Sequence, residues 1–400
     1  MAVGQNDFPM MPAIAGIKLG TTNAGIKQTV RDDLLLLEAN EGATCAATFT
    51  QNAFCAAPVH VAKAHLKHAP RWLLVNSGNA NAGTGEAGMQ AALQSCADVA
   101  KLTNATAEQV LPFSTGVIGQ LLPVAKITAA LPTALTQLNE DNWVKAAIAI
   151  MTTDTFSKGV SKTININNQS VTINGIAKGA GMIHPNMATL LSFVATDAKI
   201  SQELLQNALS AAVEKSFNRI SVDGDTSTND ACVLIASGAG ADINETNYAL
   251  FADAVMDVLK QLAELIVRDG EGATKLMRIV VTEAASVDEA VQVAKTIAHS
   301  PLVKTAFFAS DPNWGRILAA VGRAGVANMV LEDVQIYLNE VCIVRNGGCA
   351  DDYTEEAGQA VMDLPEITIT VKLNRGIITE EVLTCDFSYD YVKINAEYRT

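Results

Sequence analysis

No apolar stretch in this 400-residue chain approaches the roughly eighteen residues that a bilayer-spanning helix requires, so no membrane partner is expected. Met1 to Met10 carries neither a basic segment nor a long apolar core, so no secretory leader is expected. The seven cysteines, at 45, 55, 96, 232, 342, 349 and 385, are odd in number and form no Cys-x-x-Cys pair. That usage suits a reducing, cytoplasmic setting. Cys342 and Cys349 flank Asn346-Gly-Gly348 and could meet across a turn, but free thiols are the favoured expectation. Histidines are few. His65 and His68 could share a helix face, yet no acidic or cysteine partner sits beside them, so no metal is expected and a solvated face is. Basic residues are outnumbered, 28 against 42, giving a net charge of −14 and arguing against a broad nucleic-acid surface. A local cationic pocket can still exist inside an acidic protein.

What is present describes an ordinary folded chain: 49% hydrophobic and 18% charged residues, with length enough for a large core. Trp72–Val75 and Met277–Glu283 are expected as strands. Gln90–Leu102, Glu203–Phe217, Phe251–Val267 and Val287–His299 repeat apolar residues at helical spacing. Toward the end, Val334–Val344, Glu366–Leu373 and Tyr389–Ile394 alternate as strands do, with Asn346-Gly-Gly and Asn374-Arg-Gly as turn signals. A mixed α+β architecture follows. Gly83-Thr-Gly-Glu-Ala-Gly88 spells a dinucleotide-binding pattern, but the strand before it is expected to end near Asn76, too early for the tight turn such a site needs. Loop glycines are the simpler reading.

The most informative stretch runs from Lys178 to Asp197. A glycine-rich loop leads to Ala188, then Thr189, then an apolar strand. That layout suits a chain that cuts itself. Thr189 Oγ would attack the Ala188 carbonyl, and hydrolysis of the ester would free an α-amine beside a hydroxyl. Such an amine titrates near 8, so a terminal threonine supplies both nucleophile and base. Branching at Cβ restricts χ1 and helps aim Oγ. Taken on spacing alone, a glycine loop before a half-buried strand explains the same residues.

The segment Gly181-Met-Ile-His-Pro-Asn-Met-Ala-Thr-Leu-Leu-Ser-Phe193 resembles the cleavage signature of the ornithine acetyltransferases, also called glutamate N-acetyltransferases. Six further ordered pieces resemble the same family: Asn76–Gly83, Ser114–Gly119, Met151–Thr155, Ser221–Asp230, Arg268–Lys275 and Ser310–Arg316, and so does the closing Asn395–Thr400. The resemblance covers essentially the whole chain. It implies two intertwined domains, with an α-β-β-α layered catalytic part of a type shared with related aminopeptidases. It implies cleavage into an alpha fragment, residues 1–188, and a beta fragment, residues 189–400, which need not be domains.

The implied activity moves acetyl from N2-acetyl-L-ornithine to L-glutamate through an acetyl-Thr189 ester, within arginine biosynthesis. No resident cofactor is implied, although acetyl-CoA can serve some members as a co-substrate. Thr115 and Gly116 would form the oxyanion hole. Thr152, Lys178, Thr189, Glu271, Asn395 and Thr400 would contact substrate, Lys178 at the α-carboxylate and Glu271 at the δ-ammonium of ornithine. Two alpha and two beta fragments would assemble as a heterotetramer. Two other readings stay open: an amidase or aminopeptidase that passes the acyl group to water, and an uncleaved binding protein with the same cleft. By themselves Ser114-Thr-Gly could be a routine turn, Lys178 a solvated lysine and Glu271 a surface carboxylate.

Overall fold

The computed structural model describes residues 3–4, 7–184 and 190–397. The chain divides into two compact units whose segments interleave along the sequence. The larger comprises residues 7–218 and 225–266, and the smaller takes 1–6, 219–224 and 267–400. Position 188/189 falls within the span of the larger unit rather than at its edge.

The larger unit is built on two main sheets, with a short two-stranded one formed by Lys199–Ile200 and Asp242–Ile243. In the first, Ile17–Thr22, Leu34–Ala39 and Trp72–Asn79 pair antiparallel in that order, and Val110–Val117 then runs parallel to Trp72–Asn79. Alternation along Leu34–Ala39 explains the burial on both faces. Leu35 and Leu37 join Leu73, Val75 and Phe113 in one apolar cluster, while Leu34 and Leu36 join Trp72 and Leu74 in another. The first cluster also takes Ile176, Phe193, Val233 and Ile235 from the second sheet. Phe113 meets Phe193 edge to face with ring centroids 5.2 Å apart, a contact that joins the two sheets. The second cluster is covered by the helices Gly85–Leu102 and Val124–Thr136.

The second sheet runs Thr44–Phe49, Ala231–Ala236, Leu191–Thr196, Gln169–Lys178, Lys158–Ile166. A side chain at Gly175 would press on Leu262 and Val258, so the helix Tyr248–Arg268 lies on the face away from the first sheet. The helix Gln202–Glu214 protects an edge. Gln202 pairs its amide with the backbone N–H and C=O of Cys45, and Gln206 does the same at Ala47. The expected α-β-β-α layering is therefore present in this unit.

In the smaller unit six strands form one mixed sheet, with Leu276–Ala284 between Glu366–Lys372, parallel, and Ile378–Cys385, antiparallel. Helices Val287–Ala298 and Trp314–Gly322 bury Val293, Ile297, Ile317 and Val321 in its core. Ser286 starts the first of these by accepting from Glu289 N–H at 3.1 Å.

Three expectations need correction. Tyr389–Ile394 is not a strand but part of the helix Tyr389–Glu397. Ser388 Oγ accepts from Asp390 N–H at 3.2 Å and donates to Gly272 O at 2.6 Å, which favours a helical start. Phe387 stacks on Tyr391 at 4.7 Å, a contact between residues four apart that an extended strand could not make. Val334–Val344 is a hairpin rather than one strand. Asn339 reverses it at φ +47°, in the left-handed region that asparagine tolerates. His65 is buried, with its Nδ1 at 2.8 Å from Val110 O, so it does not share a solvated face with His68. The strand at Trp72 runs on to Asn79, still short of Gly83. All seven cysteines are free thiols.

The mixed sheet and the turn that feeds it are joined at Asp386. This buried carboxylate accepts from Thr274 N–H at 2.8 Å, Lys275 N–H at 2.9 Å and the Thr274 hydroxyl. Asp386→Ala strands these donors and is expected to cost about 2–4 kcal/mol. A urea titration should show a lower midpoint with an unchanged slope, and an unchanged midpoint would refute the anchoring role.

Candidate active site

Two parallel strands, Trp72–Asn79 and Val110–Val117, set Ser77 opposite Thr115 and Gly78 opposite Gly116. The two glycine backbones approach very closely. A Cβ on Gly116, at φ +134°, would lie 2.3 Å from the Gly78 carbonyl carbon, so no other residue fits. Ser114-Thr-Gly is therefore a strand end pressed onto its neighbour, not a routine turn. Polar side chains lock it from behind. Ser114 Oγ donates to Asn76 Oδ1 at 2.6 Å, and Asn76 Nδ2 donates to Asn79 O at 2.9 Å. Asn229 Nδ2 donates to Ser114 O and Ala80 O, so Asn229 braces the same strand ends. Thr226 Oγ1 donates to His184 O, holding the last described residue before the expected cleavage point.

Thr115 is buried, and Lys178 Nζ donates to its Oγ1 at 3.1 Å. Lys178 ends the Gln169–Lys178 strand, so it is a positioned group rather than a solvated one. The next residue, Gly179, donates its N–H to Asp154 Oδ1 at 2.7 Å. Asp154 also accepts from Lys158 Nζ at 2.7 Å and, through Oδ2, from Thr152 N–H at 2.8 Å. Asp154 and Lys158 are both fully buried. Burial opposes the Asp154 charge, but Lys158, Lys178 and the Gly179 N–H outweigh it and hold the carboxyl well below the usual carboxylate range. Thr115, Gly116, Thr152 and Lys178 are thus tied into one neighbourhood of the larger unit.

Sequence reasoning missed the loop that joins them. Asp33 is buried and accepts from the N–H groups of Ala24, Ile26 and Lys27 at 2.6, 2.6 and 2.9 Å. It folds residues 24–31 so that Lys27 Nζ donates to Met151 O at 2.6 Å and Arg31 reaches Thr152 O at 3.3 Å. The Lys27 stem packs on Gly78, where a Cβ would come within 2.9 Å of it. Burial and then the Arg31 charge pull the Lys27 amine down to about 8, against Asp33 and Asp154. Nothing in the sequence marks these cations, which belong to no spaced motif. Asp230 was also missed as an individual. It is buried, and burial pushes its carboxyl well above the usual range despite the Ser227 hydroxyl, the nearby Lys178 charge and the Leu190 N–H. Among the described residues its Oδ2 has no hydrogen-bond partner.

In the smaller unit Glu271 is buried, not a surface carboxylate, and Asn395 Nδ2 donates to its Oε2 at 2.8 Å. Gly272, at φ +70°, admits no side chain against Tyr391 and Ser388. Glu271 and Asn395 are therefore brought together, which their separation in sequence does not suggest. Ala188, Thr189 and Thr400 lie outside the described residues.

Comparison with known proteins gives a consistent result. The model of the ArgJ family matches residues 18–400. "Arginine biosynthesis bifunctional protein ArgJ" of Methylococcus capsulatus is 62% identical over 99% of this chain and 98% of its own length. The protein of the same name from Pseudomonas fluorescens is 53% identical over the full length of both. A crystal structure of arginine biosynthesis bifunctional protein argJ from Bacillus halodurans is 43% identical, with a TM-score of 0.50, covering 52% of this chain and 99% of that one.

The Asp154–Lys158 pair yields a stability prediction. Asp154→Asn removes one charge of a buried pair and is expected to cost about 3 kcal/mol. Because the folded-state carboxyl is depressed, the stability it contributes is complete above the unfolded value of about 4 and is lost as pH falls below it. Unfolding free energies measured from pH 7 down to pH 3 should fall more steeply in the wild type than in Asp154→Asn. Parallel profiles would contradict the assignment.

Proposed function

The chain belongs to the ArgJ family, and from that membership and the geometry above we propose that it transfers acetyl from N2-acetyl-L-ornithine to L-glutamate. The products are L-ornithine and N-acetyl-L-glutamate, intermediates of arginine biosynthesis. Before turnover the chain processes itself. Thr189 Oγ displaces the amide nitrogen from the Ala188 carbonyl, and water hydrolyses the ester. This leaves an alpha fragment ending at 188 and a beta fragment beginning at Thr189. The Bacillus halodurans structure fits such a division, since nearly all of that chain corresponds to about half of this one.

In turnover Thr189 Oγ attacks the acetyl carbonyl and passes its proton to the terminal amine. The negative charge that develops on the carbonyl oxygen is met by the Thr115 hydroxyl and the Gly116 N–H. The C–N bond then breaks as ornithine leaves with a proton, and acetyl-Thr189 remains. The glutamate amine repeats the attack in reverse. The observation that carries this reading is the Lys178–Thr115 bond. Lys178 donates to Thr115 Oγ1, so the hydroxyl must direct its own hydrogen elsewhere, as an oxyanion donor does. We assign Lys178 to the substrate α-carboxylate, because a lysine ammonium is a cation with three N–H donors. Thr152, Glu271, Asn395 and Thr400 complete the proposed substrate contacts, Glu271 receiving the δ-ammonium of ornithine.

Acetyl-CoA is the second donor we assign, as a co-substrate and not a resident cofactor, in keeping with the bifunctional relatives. The chemistry as written needs no metal. We place the enzyme in the cytoplasm as a heterotetramer of two alpha and two beta fragments.

Intact mass under denaturing conditions tests the processing step. Wild type should give two fragments meeting at 188/189, and Thr189→Ala one uncut chain without acetyl transfer. A single full-length wild-type chain would remove the free amine on which the mechanism rests. Acetylated glutamate should form in preference to free acetate, and the reverse would favour an amidase. Deleting residues 398–400 should raise KM for acetylornithine while leaving the thermal midpoint unchanged. Intact kinetics after that deletion would sink the proposed contact at Thr400.

A further inference from the structure

The terminal amine that serves turnover does not exist until the chain is cut, so self-processing needs another group to carry its proton. A buried acid stands beside the junction. Ala231 N–H donates to Leu190 O at 3.0 Å, and the parallel pairing of Ala231–Ala236 with Leu191–Thr196 opens with Ala231 opposite Leu191. Lys178 is paired with Leu191 on the other side. The Asp230 carboxyl is 2% exposed, and the Leu190 N–H and the Ser227 hydroxyl face it. Its backbone is well held. Thr50 N–H donates to Asp230 O at 3.0 Å, Thr50 Oγ1 to Ser227 O at 2.8 Å, and Asn229 Nδ2 to Ala80 O and Ser114 O. None of this occupies Oδ2, which has no hydrogen-bond partner among the described residues. A polar atom buried in that way is costly and calls for a role. Burial also favours the protonated acid, pushing it well above its ordinary range against the Ser227 hydroxyl, Lys178 and the Leu190 N–H. The Cys55 thiol faces it too, itself raised by burial against the Lys63 charge beyond.

We propose that Asp230 is the general acid of self-processing, an inference that rests on cleavage at 188/189, and that it gives a proton to the amide nitrogen of Thr189 as that bond breaks. Thr189 Oγ bonds to the Ala188 carbonyl carbon, the C–N bond breaks, and the nitrogen takes the Asp230 proton to become an amine. The carboxylate left behind takes the Oγ proton, so the acid is restored before water hydrolyses the ester. Connectivity supports the assignment. The Thr189 nitrogen belongs to the residue before one whose N–H already faces the carboxyl, and consecutive residues are about 3.8 Å apart. An amide nitrogen leaves readily only when protonated, which is the task of a positioned acid.

Full-length chains made by cell-free translation, chased at pH 7 and quenched in denaturant, give the rate of cutting by intact mass. Asp230→Asn keeps the shape but has no proton to transfer, and should process at least about 100-fold more slowly than wild type. Asp230→Glu should recover part of that rate. Neutral hydroxylamine cuts esters and spares amides, so it should leave Asp230→Asn whole. Fragments released by hydroxylamine would show that the ester forms without Asp230 and would overturn the proposal. The thermal midpoint of Asp230→Asn should match that of Thr189→Ala, since both are uncut chains. If Asp230→Asn does not fold, wild type decides alone. The acid loses its proton as pH rises through its folded-state value, so processing should slow at alkaline pH. A wild-type rate that only climbs from pH 5 to pH 10 would contradict this. Equal rates in wild type and Asp230→Asn would remove the proposal and leave self-processing intact, whereas an uncut wild type would remove both.

Discussion

The buried carboxylate of Asp154 is the constraint around which the larger unit's site is organised. Its two oxygens fix three groups: the nearby backbone at Thr152 and ammonium of Lys158, and the backbone at Gly179, 25 residues further along the chain. Gly179 directly follows Lys178, so the same anchor sets where the Gln169–Lys178 strand ends and where its last side chain points. A neutral residue could not do this. The charge attracts Lys158 into a fully buried position and strengthens each N–H bond it accepts. Holding it costs desolvation, and the return is a fixed geometry. Lys178 then reaches Thr115, whose strand is pinned in turn by the Gly78–Gly116 contact. The oxyanion candidate is thus positioned from two sides, by an electrostatic anchor and by a steric one.

Much of this was legible in the sequence, for physical reasons that differ by residue. Helices such as Val287–Ala298 announce themselves because one face must be apolar, and that periodicity survives without tertiary information. Thr115, Gly116 and Lys178 were found through the ordered motifs around them, not through anything intrinsic to a threonine or lysine. The helix Tyr389–Glu397 was misjudged because six residues carry both periods, and contacts to Phe308, Phe387 and Gly272 decide between them. Glu271 looked like a surface carboxylate because two glycines flank it. Those glycines instead let the backbone pack tightly, as the close approach of Gly272 to Tyr391 shows.

Lys27, Arg31 and Asp33 were illegible for a further reason. Their meaning lies in what surrounds them after folding. Asp33 is an ordinary residue until three N–H groups close on it, and only then does the loop carry two cations to the carbonyls of residues 151 and 152. Composition points the other way, since the chain is acidic overall. Net charge governs solubility and long-range steering, whereas a site is governed by the few charges within several ångströms.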